Sequence, residues 1–208
     1  GNPYPSGLDV DAFLTDNASE IESAVYLWSS DGSDYSSLQS DYAIMGLAGS
    51  VSAGGSGLAP TSATVSSAQG FFVQSLANGT VDFNNSQRVG TNNTFQRTKA
   101  SDMERIWLGV EKENGAKNEI LLAFLDEAEE GKDLYDASKL SGNGFVSLYS
   151  IGQCKAVACN GSTKYAIQGL PTLSNDRIIP IGIEAKEAGE FTFSINHLDG
   201  VDELTEVY

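Results

Sequence analysis

The amino-acid sequence predicts an all-β protein: an antiparallel, jelly-roll-like β-sandwich with one short N-terminal helix and long loops. Three observations predict it. Short apolar or alternating runs recur along the chain, separated by Gly, Asn, Ser and Asp, the pattern of strands and turns. Helical periodicity is confined to one stretch near the start. Asn78-Gly79 and Asn114-Gly115 each fit a two-residue hairpin, and links that short join antiparallel strands, because parallel neighbours need crossovers of about a dozen residues.

The chain opens on a turn, Gly1-Asn2-Pro3-Tyr4-Pro5-Ser6. Leu8 to Leu14 follows as the helix, where Val10, Phe13 and Leu14 share one face and Ser6 or Asp9 caps the start. Strands are expected at Ala24 to Trp28, Tyr42 to Met45, Gly70 to Gln74, Thr80 to Phe83 and Arg105 to Val110. Others are expected at Glu119 to Phe124, Val146 to Tyr149, Tyr165 to Gln168, Ile178 to Ile183 and Glu190 to Ile195. In the last of these, Phe191, Phe193 and Ile195 should face inward, with Thr192 and Ser194 outward. Ile106 and Leu108 oppose Trp107 and Gly109, so that strand reads as covered on both faces. Pro180 suits an edge strand or a bulge. The stretch from Gly46 to Gln69 is rich in Gly and Ser and reads as a long exposed loop, or a flap over a ligand. Glu203 to Tyr208 reads as a final strand with neither cap nor tail. Residues 1–208 are therefore expected to form a single module cut from a larger protein, with edges at Gly1 and Tyr208 that meet another segment or subunit.

With 208 residues, 40% of them hydrophobic, the chain can bury a sizeable core. Twelve basic against 28 acidic residues give a net charge of −16, which repels nucleic acid and anionic membrane surfaces. Such acidity suits solubility, cation binding or an extracellular habitat. Arg88 is the only basic residue through position 90. Cys154 and Cys159 are spaced to close a short disulfide loop, which implies an oxidising compartment. A zinc site would need more ligands than this stretch offers, and the pair lacks the Cys-x-x-Cys spacing of redox catalysts. The sequence carries no signal peptide and no apolar run of transmembrane length.

Several segments, taken in order, resemble a module of secreted Bacteroidota cell-surface proteins that precedes a type IX secretion system C-terminal sorting domain. They are Gly1 to Ser6, Leu8 to Leu14, Val25-Tyr26-Leu27-Trp28, Asp41-Tyr42-Ala43, Ala68 to Val73, Val81 to Val89 and Arg105-Ile106-Trp107-Leu108. Ala166 to Gly169, Ile179 to Gly182 and Phe193 to Gly200 continue the series. The resemblance implies an extracellular β-rich domain of adhesin-like or matrix proteins. It carries no catalytic residue across. Cys154 and Cys159 depart from it, falling where such modules have a plain loop.

Chemistry-bearing constellations are sparse. His197 is the only histidine, and no Gly-x-Ser-x-Gly elbow accompanies it, so it reads as a structural, hydrogen-bonded residue. The acidic pairs Asp9 with Asp11, Asp126 with Glu127, and Glu129 with Glu130 are neighbours in sequence and point apart, unlike glycosidase acids facing across a sugar. The acidic loops read first as solvated, with calcium the lesser candidate through Asp31 and Asp34 or Asp126 and Asp133; neither loop has EF-hand spacing. Trp28, Trp107, Tyr35, Tyr42, Tyr135 and Tyr149 are the aromatics available to stack on sugars, with core packing as the competing role of both tryptophans. Gly54-Gly55-Ser56-Gly57 lacks the Lys and helix of a phosphate loop. Asn-x-Ser/Thr triplets at Asn17, Asn78, Asn84, Asn92 and Asn160 are of a kind frequent by chance.

The expected function is a non-catalytic, extracellular structural or adhesion module, with no cofactor unless calcium binds. Its expected partners are neighbouring domains of the same polypeptide, other surface-protein subunits, or glycans, without nucleic acid or membrane insertion. A carbohydrate-binding module, using the loop from Gly46 to Gln69 and surface aromatics, is the alternative. Full burial of Trp28 and Trp107 would remove its best platform.

Overall fold

Of the two caps the sequence offers, Asp9 is the one used, its carboxylate accepting the Ala12 N–H at 3.1 Å, and the helix starts at Val10, with Leu8 in the strand before it. The computed structural model describes residues 1–29, 41–54, 63–90, 103–140, 142, 144–153, 162–174 and 176–201. Its strands are β1 (Gly7–Asp9), β2 (Ala24–Ser29), β3 (Asp41–Gly46), β4 (Gly49–Val51), β5 (Thr64–Val65), β6 (Arg88–Val89) and β7 (Glu104–Lys112). They continue with β8 (Lys117–Phe124), β9 (Ala137–Ser138), β10 (Val146–Gln153), β11 (Ser162–Leu170), β12 (Ile181–Ala185) and β13 (Phe191–Asp199). Helix α1 spans Val10–Asp16. The protein is all-β, built as layered sheets.

The largest sheet runs β12-β10-β11-β8-β7-β13, with β9 alongside β11. Its first and last strands are joined by residues 186–190 alone, a link that reaches at most about 20 Å. The sheet must therefore curl until its ends stand near each other. Inside the curl, Val110, Ile120, Val146 and Leu148 form one apolar cluster and Ile106, Leu122, Phe124 and Leu170 another. Outside it, Leu121, Ala123, Ala166 and Ile167 pack against Ala24, Tyr26, Ile44 and Val51 of a second sheet, β2-β3-β4. That second sheet is covered on both faces, because Val25 and Met45 pack the opposite way, against Leu8, Phe13, Leu14 and Val65. β7 is likewise covered on both faces, as expected.

The structure corrects several expectations. β8 and β11 pair in parallel, since the chain runs through β9 and β10 between them. Gly70 to Gln74 and Thr80 to Phe83 are not strands. Phe72 makes only a single bridge to Tyr26, and Asp82 is held by the Asn17 side chain instead of a ladder. No hairpin forms at Asn78-Gly79. Asn114-Gly115 does close the β7–β8 hairpin, but in a three-residue loop with Gly115 at φ +86°, a left-handed conformation that glycine adopts without strain. The expected loop from Gly46 to Gln69 contains β4 and β5, and it buries Ala48, Val51, Ala53 and Val65. Its residues 55–62 lie outside the described ones. β12 begins just after Pro180 and is an edge strand, as the proline requires. Phe193 and Ile195 are 59% and 44% exposed, because β13 is also an edge and its inner side faces the mouth of the curl.

Candidate functional site

A bulge in β13 builds a cleft. Ile195 pairs with Leu108 and His197 with Trp107, so Asn196 is the extra residue and its side chain turns over β7. It lies over Gly109, where a Cβ would come within 2.4 Å of Asn196 Nδ2. From there Nδ2 donates to Glu119 Oε2 at 2.7 Å, while Ser194 Oγ donates to Asn196 Oδ1 at 2.7 Å. Ser52 donates its N–H and its hydroxyl to Glu119 Oε1, each at 3.2 Å. The Glu119 carboxylate thus ties β13 and the residues after β4 to β8. The cleft holds about 270 Å³ and is completed by Gly54, Val110, Asn118, Glu111 and Lys117. Lys117 and Glu111, both half-exposed, pair across the hairpin at 3.1 Å.

Behind the cleft the polar chain continues inward. Asn118 and Asp41 are buried. Asn118 Nδ2 donates to Asp41 Oδ2 at 2.8 Å. Asn118 Oδ1 accepts the Leu148 N–H at 2.9 Å and the Lys139 amine at 2.6 Å. Asp41 Oδ1 is fixed by the N–H groups of Tyr42 and Gly142, each at 2.8 Å. Burial pushes the half-buried Lys139 down to about 8, against the opposing pull of the Asp41 and Glu119 charges.

Beside the cleft, the Trp107 ring is half-buried, and its Nε1 donates to Ser50 O at 2.9 Å. The His197 ring lies 5.1 Å from it, so the histidine's neighbour is an indole and not a hydroxyl nucleophile. Trp28 is half-buried too, edge-on to Tyr42 at 5.0 Å, and Tyr42 is edge-on to exposed Phe72 at 5.8 Å. Neither tryptophan is fully interior, and neither is an open platform.

The expected calcium ligands do not converge in the described residues. Asp126 accepts the Thr172 hydroxyl at 2.6 Å. Asp133 closes its own loop by accepting the N–H groups of Glu129 at 2.6 Å and Tyr135 at 2.7 Å. Among the described residues no three His, Cys, Asp or Glu side chains gather as metal ligands. Asp31, Asp34, Tyr35, Asn92, Cys154, Cys159, Asn160 and the expected strand from Glu203 to Tyr208 lie outside the described residues. Glu119, Asn196 and Ser52 were not singled out by sequence, because a bulge leaves no composition signal. No described helix is long and apolar enough to cross a membrane.

The chain belongs to a family described as a domain of unknown function, DUF8693, whose model matches residues 1–208. No curated protein and no solved structure matches it.

Proposed function

We propose that this DUF8693 domain is a non-catalytic adhesion module of a type IX-secreted surface protein, and that its cleft at Asn196 takes a hydroxyl-rich ligand, a sugar unit of a glycan. The observation that carries the reading is the cleft itself. Amide, hydroxyl, carboxylate and ammonium groups converge over bare backbone at Gly109, offering both donors and acceptors at fixed positions. The carboxylate at its centre, Glu119, has both oxygens engaged in bonds that hold the walls together, a positioning role and not a proton-transfer one. The strong acidity and the resemblance along the chain support an extracellular setting, with neighbouring domains or other surface subunits as further partners.

A glycan array, run with calcium and with chelator, tests the reading. The expected result is saturable binding that Asn196→Ala abolishes while the far-ultraviolet dichroism stays unchanged. Absence of binding to any glycan in both conditions, or binding indifferent to Asn196, would sink the sugar assignment.

A further inference from the structure

We propose that Lys139 and Asn118 become joined by an intramolecular isopeptide bond. The Lys139 amine is 2.6 Å from Asn118 Oδ1, and a carbonyl bond of about 1.2 Å then leaves it less than about 4 Å from Cγ. Near-attack geometry for an amine on a carboxamide is about 3–3.5 Å, so at most a short approach separates the two groups. The surrounding groups are those the reaction needs. Leu148 N–H already holds Oδ1, where negative charge develops in the tetrahedral intermediate. Asp41 Oδ2 already holds Nδ2, the leaving nitrogen, and is itself fixed by the Tyr42 and Gly142 N–H groups. Burial lowers Lys139 to about 8 and so enlarges the fraction of the amine that is unprotonated and nucleophilic.

The step balances without a co-reactant. The amine nitrogen of Lys139 attacks Cγ, and the carbonyl electron pair moves onto Oδ1. Asp41 accepts the proton from the attacking nitrogen and delivers it to Nδ2. The intermediate collapses, the Cγ–Nδ2 bond breaks and ammonia leaves. A secondary amide between Nζ and Cγ remains, and no atom changes oxidation state. The bond ties β8 to the segment that follows β9, and it stands independently of any ligand in the cleft.

Intact mass spectrometry of the folded full chain, denatured and reduced so that cysteine pairing is silent, tests this directly. The expected mass is lower than that of the sequence by one ammonia. Trypsin cannot cut after an acylated lysine, so residues 118–132 should appear as a branch on residues 133–155. Lys139→Arg and Asn118→Ala should restore the sequence mass, and Asp41→Asn should do so by removing the proton carrier. A native chain at full sequence mass, with a free 133–139 peptide, would overturn the proposal. So would an ammonia loss that maps elsewhere, such as a succinimide at Asn78-Gly79 or Asn114-Gly115. Because the native chain's own peptide map decides, a variant that does not fold leaves the test intact.

Discussion

Glu22 Oε1 stands 2.6 Å from the Lys132 amine, joining the residues before β2 to the loop after β8 through a buried carboxylate. The same oxygen accepts the Ser138 N–H at 3.1 Å and the Ser138 hydroxyl at 2.5 Å, while Oε2 accepts the Tyr26 hydroxyl at 2.6 Å. Burial and the Glu22 charge together raise the Tyr26 phenol far above its ordinary range. One side chain therefore holds β2, β9 and the loop between β8 and β9.

Removing the two partners should have unequal costs. Lys132→Met leaves the Glu22 charge buried without a counter-ion and should cost about 3 kcal/mol. Glu22→Gln keeps an acceptor toward Ser138 and turns its amide to Tyr26, whose hydroxyl can donate to Ser138 O, 2.9 Å away. It should cost about 1 kcal/mol. Urea unfolding of both variants checks the order, and an equal or reversed loss would contradict it.

Asp136 gives a pH dependence of defined sign. Burial pushes its carboxyl up from 3.8 to about 7, although the N–H groups of Asp133 at 2.9 Å and Gly169 at 3.0 Å oppose the shift. The Asp133 charge raises it further and Lys132 lowers it. The folded state then binds the proton more tightly than the unfolded chain. Stability from this group is complete below pH 3.8 and is lost as pH rises through about 7, on the order of 4 kcal/mol in all. Asp136→Asn should remove that loss, so the variant should gain on the native protein between these pH values in paired melting curves. A gap that stays constant with pH would refute the assignment.

Local signals carried the fold well where they were strong. The Asp9 cap, the apolar face of Val10, Phe13 and Leu14, and the long runs of β7, β8, β10 and β11 all stand in the sequence. Phe71 and Val73 carried an equally apolar signal yet form no strand, because their segment meets its neighbours only through the single bridges Phe72–Tyr26 and Ser75–Ile21 and not through a ladder. The β8–β11 parallel pair and the Asn196 bulge depend on partners distant in sequence, and no local pattern encodes them. The same holds for Asp41, Asn118 and Lys139, which are ordinary polar residues until the curl brings them together.

Two glycines test whether crowding or room to yield decides the cost of an added methyl. At Gly109 a Cβ meets Asn196 Nδ2 at 2.4 Å, and at Gly152 it meets Tyr165 Cε2 at 2.5 Å and Gln168 Nε2 at 2.8 Å. The Gly109 contact is the shorter, yet Asn196 is exposed and can swing into water. Gly109→Ala should therefore cost less than about 1 kcal/mol of stability while breaking the Asn196–Glu119 bond and weakening the cleft. Tyr165 and Gln168 are buried inside the curl, and a rigid ring there can move only by displacing β10 or β11. Gly152→Ala should cost about 2 kcal/mol, the scale of an overpacked interior. Thermal melts of both variants decide it: a larger loss at Gly109 than at Gly152 would mean that the Tyr165 ring has space this packing denies it.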